Sequence, residues 1–163
     1  MAVVNTLATP VSNADASPVV PNYPKLVNGD LRCSAGSVTK AGSDSNASTY
    51  RLARLPSHAR IVGLGIKSAA ITGMTDVDIG VYQTAANGGA VVEKDALEDG
   101  LDMSSAINTI AGPGGVAAAD GLKPLWELLG LSEDPGIDYD IVATANTAGA
   151  GTGVIGLNVL WVV

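Results

Sequence analysis

Phenylalanine is absent from this 163-residue chain, and cysteine and histidine each occur once. Since Cys33 has no second cysteine to pair with, the fold must hold without an internal disulfide, and we expect a buried, inert thiol. His58 alone cannot build a two-histidine metal site within one chain, and a catalytic triad would have to use it. Aromatic residues make up 4% of the chain, which predicts an aliphatic core and disfavours a sugar cleft lined by aromatic platforms.

Basic residues are also scarce. Nine Lys and Arg stand against sixteen Asp and Glu, and the net charge of −7 disfavours nucleic acid as a direct partner. The charge is uneven, at +3 through Arg60 and −10 beyond it. A dipolar molecule of this kind can pack against its own copies or an acidic neighbour, and a solvated surface with incidental asymmetry is the alternative.

Long hydrophobic runs are missing as well. No apolar stretch approaches the ~20 residues needed to span a bilayer, and the first twenty residues lack the basic start and apolar run of a secretory signal. We therefore expect a soluble protein with no membrane partner. Residues 151–156 match the dinucleotide fingerprint GxGxxG, but no helix pattern follows. We interpret these glycines as a hairpin connection and expect no cofactor.

The first 24 residues form a polar leader with spaced prolines. That mixture favours neither a helix nor a ladder of strand hydrogen bonds, and fully extended it would reach on the order of 80 Å. We predict an extended N-terminal arm over residues 1–28 that lies on a neighbouring subunit, and a disordered terminus is the alternative. The arm residues predicted to make this contact are Pro18, Val19, Val20, Pro21, Tyr23 and Pro24.

The body, residues 29–163, is patterned as strands. Strands are predicted at 29–40, 49–55, 59–71, 76–81, 90–92, 140–145 and 154–163. In the third, Val62, Leu64 and Ile66 share a face. In the fourth, Val77, Ile79 and Val81 face inward, while Asp76 and Asp78 face water. The last strand is apolar on both faces, which predicts a central position in its sheet.

Between these strands the pattern loosens. Residues 93–102 are predicted to form an acidic loop, either solvated or gathering oxygen ligands for a hard cation. A short helix is predicted at 104–110, capped by Asp102, and another at 122–131, with Pro124 in its first turn. The predicted fold class is all-β: an antiparallel β-sandwich, jelly-roll-like, with one or two short helices and the extended N-terminal arm.

Catalytic signatures are weak. There is no GxSxG elbow, and nothing in the sequence places Cys33 and His58 together as nucleophile and base. A pair of carboxylates for glycoside hydrolysis stays open, since sequence alone cannot position one. We expect a protein that is not an enzyme, without catalytic or metal-binding residues.

Three segments carry a resemblance to a known family. Residues 50–61 (YRLARLPSHARI), 75–82 (TDVDIGVY) and 125–131 (LWELLGL) resemble small structural proteins of tailed-bacteriophage heads, and the similarity spans roughly residues 32–163. It implies a capsid decoration, or cement, protein that is made in the host cytoplasm, binds the capsid exterior and reinforces the lattice. The implied partners are the major capsid protein and further copies of the chain, with a trimer favoured.

On this hypothesis Arg51, Arg54 and Arg60 would meet an acidic capsid surface. The alternative from another class is a carbohydrate-binding β-sandwich on a phage fibre or tail.

Overall fold

The computed structural model describes residues 7–22, 30–111 and 116–163. Within these ranges eight strands form the body: β1 (Arg32–Lys40), β2 (Ser48–Pro56), β3 (Arg60–Ser68), β4 (Asp76–Gln83), β5 (Val91–Leu101), β6 (Ile107–Ala111), β7 (Asp138–Thr147) and β8 (Gly153–Val162). The helical segments are short: α1 (Thr9–Asp15), a 3-10 turn (Ala85–Asn87) and α2 (Leu125–Leu128). No helix in these ranges is long and apolar enough to cross a membrane.

The strands form two antiparallel four-stranded sheets. The β1 sheet has the order β1-β8-β3-β6, and the β2 sheet has the order β2-β7-β4-β5. Apart from β4 and β5, strands that follow each other along the chain lie in opposite sheets. This alternation is the double Greek-key connection of a jelly roll, which confirms the predicted fold class.

The core between the sheets is mainly aliphatic, as predicted. Leu55, Ile79, Ile141 and Ile155 are fully buried there, one from each of β2, β4, β7 and β8. The inward positions of β4 follow the predicted alternation, because Val77, Ile79 and Val81 all belong to the core cluster. β8 lies between β1 and β3, which confirms its central position.

Two predicted elements are wrong. The acidic loop at 93–102 is part of β5, which pairs with β4, and the helix at 104–110 is replaced by β6, which pairs with residues 64–68 of β3. Both segments are polar or weakly patterned, so their local sequence gave little information about which secondary structure they form. Pairing with an already hydrophobic strand decided their conformation.

Two connections also differ from expectation. β3 bulges between Ile61 and Gly63, so Val62 points outward and is 45% exposed instead of sharing the inner face with Leu64. The glycine-rich link 148–152 is not a hairpin, because β7 and β8 belong to different sheets. Cys33, predicted to be buried, is exposed on β1.

Short helices occupy the periphery. α1 lies within the leader, whose composition favours neither helix nor strand and which was predicted to be extended. Pro10 stands in its first turn, where a missing N–H costs nothing. α2 confirms the second predicted helix but spans one turn. Its Leu125 and Trp126 N–H groups donate to the carbonyls of Ala59 and Ser57 at 2.8 and 3.0 Å, which docks it on the β2–β3 turn.

Candidate functional site

The arm is the first predicted contact surface. Val19 and Val20 are 67% and 47% exposed, and Pro18 and Pro21 are exposed as well. Tyr23 and Pro24 lie outside the described residues. No residue between 7 and 22 belongs to the core cluster, so this part of the arm presents apolar side chains that its own body does not bury.

The described arm is nevertheless ordered by its own hydrogen bonds. Asn13, in α1, accepts the Val20 N–H at its carbonyl over 3.1 Å and donates from Nδ2 to Asn22 Oδ1 over 2.8 Å. The extended residues after α1 therefore fold back along the helix. The result is a small motif held by polar contacts, with its valines outward.

Arg51 and Arg54, the next predicted contact residues, meet on the outer face of the β2 sheet. A bulge between Arg51 and Ala53 turns both guanidinium groups to this face, where they share Asp140 of β7. Arg54 binds the carboxylate with two hydrogen bonds, Nε to Oδ1 at 2.7 Å and Nη2 to Oδ2 at 3.2 Å, and Arg51 Nη1 donates to Oδ2 at 2.8 Å. Burial raises the pKa of Asp140, but these bonds and charges outweigh burial and hold it below its ordinary value.

The two arginines differ in what else they bind. Arg51 also donates to the carbonyls of Gln83 and Gly89 at 2.8 and 3.0 Å, and its guanidinium lies 5.7 Å from the centre of the Tyr82 ring. Those contacts tie it to the β4–β5 turn. The Arg54 side chain is 56% exposed against 36% for Arg51, so Arg54 offers more of its charge to a partner.

Arg60 is placed apart from this pair. It begins β3, in the other sheet, and its Nη1 donates to the carbonyl of Leu122. This bond holds the segment before α2 against the start of β3. The structure therefore brings together two of the three predicted arginines, and the third supports a connection.

A second polar cluster on the β2 sheet was missed by the sequence. Asp78, predicted to face water, is fully buried, and it accepts hydrogen bonds from Asn146 Nδ2 at 2.7 Å, Lys94 Nζ at 3.0 Å and the Gly100 N–H at 3.1 Å. Burial raises the pKa of Asp78, while these three donors lower it further than burial raises it. A hydrogen bond to Asp78 and its negative charge raise the pKa of exposed Asp99.

The cause of this burial is the irregular course of β5. Two steps along β4, from Ile79 to Val81, correspond to five along β5, from Glu98 to Glu93. The surplus backbone folds over the outer face at Gly80, where a Cβ atom would lie 2.2 Å from the Lys94 carbonyl carbon. A glycine amid the alternation of β4 was the one sequence signal for this close approach.

The opposite outer face, on the β1 sheet, is not covered by any part of the chain that the structure describes. Ser37 of β1, Gly156 of β8 and Lys67 of β3 are register partners across it, and they line a shallow groove of about 540 Å³. In the sequence, Gly156 stood out only as the last glycine of the GxGxxG match, and neither it nor Lys67 was predicted to line a surface. The sequence signal for this outer face lies in β8, where the outward positions 154, 156 and 158 alternate with buried apolar residues.

Comparison with known proteins bears on this architecture. No protein-family model and no curated protein matches the chain. Among solved structures it is similar to a chain in the cyanophage Pam1 capsid asymmetric unit, with a TM-score of 0.56 and 16% identity over 100% of this chain and 99% of that chain. It is also similar to a chain in the capsid of Ralstonia phage GP4, with a TM-score of 0.56 and 14% identity over 82% and 84% of the two chains. The protein has the fold of phage capsid chains.

This phage-capsid fold places the residues considered for catalysis in structural contacts. Asp134 accepts the Ser57 hydroxyl, and its other oxygen lies 3.9 Å from His58 Nδ1. The bond from Ser57 and the Gly136 N–H lower the pKa of Asp134. Through Asp134, these three residues link the β2–β3 turn to the loop after α2. Cys33 is exposed on β1, paired with Leu160.

The carboxylates of residues 93–102 also take part in strand contacts. Asp95 raises the pKa of neighbouring Glu93 through a hydrogen bond and its charge, and Asp102 caps the Ser104 N–H at 2.8 Å. No group of three potential ligands is close enough to hold a metal ion within the described residues. The described aromatic residues do not form a sugar platform either: Trp126 is half-buried, and the others, all buried, are Tyr50, Tyr82, Tyr139 and Trp161.

Lys40 organises one end of the fold. It is fully buried, and its ammonium donates to the carbonyls of Ala41, Gly149 and Gly151 at 2.8 to 2.9 Å. The side chain thereby ties the end of β1 to the link between β7 and β8, across the two sheets. This cation serves the fold and is not available to a partner.

Proposed function

We propose that this protein is a virion structural protein that binds the outside of a phage capsid and stabilises the lattice by bridging neighbouring subunits. The observation that carries the proposal is the end-to-end likeness to a chain of the Pam1 capsid asymmetric unit, which extends over 100% of this chain, arm and body together. The role is structural and not catalytic. Its partners are the major capsid protein and other copies of the chain, with a trimer favoured, on the capsid exterior after synthesis in the host cytoplasm.

The exposed arm supports bridging. A stable domain gains nothing from holding Val19 and Val20 in water, whereas burying such side chains against a neighbour contributes roughly 25 cal/mol per Å² of apolar surface. An arm that engages one subunit while the body engages another adds the two contacts through a high effective concentration. Each such bridge must be lost before the bridged subunits separate.

The body contact is assigned to Arg54, on the outer face of the β2 sheet. Arg54 is the most exposed of the arginine pair and keeps a guanidinium edge toward solvent while Asp140 fixes its position. A positioned arginine is suited to a carboxylate on the capsid surface, since it loses little side-chain freedom on binding. Arg51 contributes by holding the β4–β5 turn beside this contact, and Arg60 supports a separate connection at the start of β3.

The test is binding to phage capsids that lack the protein. The full chain should sediment with the capsids and raise the temperature at which they release DNA, and cryo-electron microscopy should place it on the exterior at junctions between subunits. Removing residues 1–24 should lower occupancy by about tenfold or more, the loss expected when one of two linked contacts is removed.

Point variants test whether the valines of the arm matter for capsid binding more than exposed valines elsewhere on the surface. Val19→Ser with Val20→Ser should weaken capsid binding, while Val91→Ser, at a valine that is 55% exposed on β5, should not. A truncated chain with unchanged occupancy and unchanged capsid heat resistance would contradict bridging by the arm. Full-length protein that fails to sediment with capsids would contradict the function as a whole.

A further inference from the structure

The groove on the β1 sheet is a mainly apolar surface that no described residue fills. Besides the row of Ser37, Gly156 and Lys67, it is lined mainly by small and aliphatic residues, among them Ala35, Ala69 and Val154. Val154 is 47% exposed. None of residues 7–22 lines the groove, so the described arm of the same chain does not fill it.

The fold does not require the glycine at the centre of this groove. A Cβ atom at Gly156 would come no closer than 3.6 Å to any neighbouring atom, the nearest being the Lys67 carbonyl oxygen. That spacing is ordinary van der Waals contact, and a β-branched residue would suit a central strand better than glycine. The missing side chain leaves room above the sheet, which a ligand lying across it can use.

The described arm has the complementary chemistry. Its four large exposed hydrophobic residues are Leu7, Val11, Val19 and Val20. Asp15 is the single charged residue between 7 and 22, and Lys67 is the single charged residue that lines the groove. A segment with four exposed apolar side chains and one negative charge therefore matches a mainly apolar groove with one positive charge.

We propose that the arm of one copy binds across the β1-sheet groove of a second copy, with Asp15 beside Lys67 and the valines against the wall formed by Val154. The chain between residues 22 and 30 can extend to at most about 28 Å, which allows an arm to leave its own body and lie on an adjoining one. This inference rests on the bridging role proposed for the arm and names the surface that receives it.

Filling the groove is the first test, with self-association of the free protein measured by sedimentation velocity over a concentration series. Gly156→Val should weaken association by on the order of tenfold, because it occupies the space of the apolar ligand. Gly121→Val is the matched control: its Cβ has similar room, 3.7 Å from the Ala118 carbonyl oxygen, and it lines a separate groove of about 300 Å³. The control should associate like the unmodified chain.

Charge exchange is the second test. Asp15→Lys and Lys67→Asp should each weaken self-association by about three- to fivefold, as expected for one exposed ion pair. The double variant Asp15→Lys with Lys67→Asp should restore it, an outcome that a general loss of folding or solubility would not produce. Thermal unfolding of each variant should match that of the unmodified body.

Cross-linking provides a readout that does not depend on affinity. In a Cys33→Ser background, a chain with Val19→Cys mixed with a separate chain carrying Ser37→Cys should form a mixed disulfide dimer under mild oxidation. Ala118→Cys in place of Ser37→Cys should not.

Three results would overturn the assignment: a free protein that stays monomeric throughout, Gly156→Val that associates normally, or a double charge variant no better than the single ones. If self-association fails these tests while capsid binding persists, the groove is wrong and the decoration role stands. If the tests succeed and capsids are not bound, the contact between copies stands and the proposed function fails.

Discussion

The two outer faces of this sandwich are built from the same kind of strand but are used differently. On the β2 sheet, Asp78 and Asp140 are buried under side chains and backbone of the same chain, and each accepts three or more hydrogen bonds. On the β1 sheet, none of the residues in the described ranges covers the row through Gly156 in this way. The β2-sheet face is largely engaged by its own chain, with Arg54 as its exposed charge, whereas the β1-sheet face is free of such contacts among the described residues.

The presence of charged residues on a sheet face is therefore not enough to identify an interface. Arg51 and Asp78 carry the most conspicuous charges on the β2 sheet, yet both are engaged within the chain. The open face carries small and neutral residues, with Lys67 as its charged member. Surfaces of this type can meet an apolar partner at little desolvation cost.

The largest effect is expected on the covered face, where the backbone of β5 comes closest to β4. Gly80→Ala would place a Cβ 2.2 Å from the Lys94 carbonyl carbon and oxygen, so β5 must shift, and we expect a loss of about 3 to 5 kcal/mol in the free energy of unfolding. Gly156→Ala, the same exchange on the open face, should change it by less than about 1 kcal/mol. Chemical denaturation of the two variants measures the contrast, and equal losses would contradict the difference between the faces.

Removing the charge shared by the arginines should have the next largest effect. Asp140→Asn leaves Arg51 and Arg54 without a carboxylate at a buried position, and we expect about 2 to 3 kcal/mol of destabilisation. Asp138→Asn, at an exposed position on the same strand, should cost less than about 0.5 kcal/mol. Denaturant midpoints compare the pair. A tolerant Asp140→Asn variant would show that the cluster is incidental to stability.

The pKa values of Asp140 and Asp78 predict how the stability of the fold changes in acid. Asp140 and Asp78 have pKa values lowered in the folded state, so their stabilisation is present above the unfolded pKa of about 3.9 and is lost as the pH falls through the folded pKa. Asp99 and Glu93 have raised pKa values and act in the opposite direction, weakly, because both side chains are exposed. The free energy of unfolding, followed from about pH 6 to about pH 2, should fall, and less steeply in Asp140→Asn.

The smallest expected effect concerns the arm. Deleting residues 1–24 should change the unfolding free energy of the body by less than about 0.5 kcal/mol, since no residue between 7 and 22 belongs to the core. Calorimetry at a concentration where the free protein is monomeric measures this without a contribution from association. A large loss of stability would mean that the arm packs on its own body and is not free to bridge.

Much of the fold could be predicted from the local pattern of apolar and polar residues. The alternation of Val77, Ile79 and Val81 predicted an inner face that the structure confirms, and the apolar run in β8 predicted its central place. The prediction that Val62 faces inward with Leu64 is wrong because a bulge inserts one residue. A bulge changes the period after it, and nothing in a period-two pattern announces one in advance.

The candidate contact residues were harder to predict from the sequence. The sequence offered the exposed valines of the arm and the arginines of β2, but it did not indicate that Arg51 would bind the turn carbonyls of Gln83 and Gly89. It also gave no sign that Gly156, noticed only within the GxGxxG match, would lie at a surface groove, because the role of a small residue in a strand depends on its neighbours across the sheet. Register partners such as Ser37 and Lys67 lie more than eighty residues away along the chain.

What the sequence alone determined was the type of structure: a mainly aliphatic core, and strands instead of long helices. These follow from side-chain shape and periodicity, which are local properties. The tertiary structure decided which sheet each strand joined, that β5 would fold over Asp78, and that one face would stay open. Those outcomes depend on contacts between residues far apart in the chain, whose free energy exceeds local preference and exists only when the fold is complete.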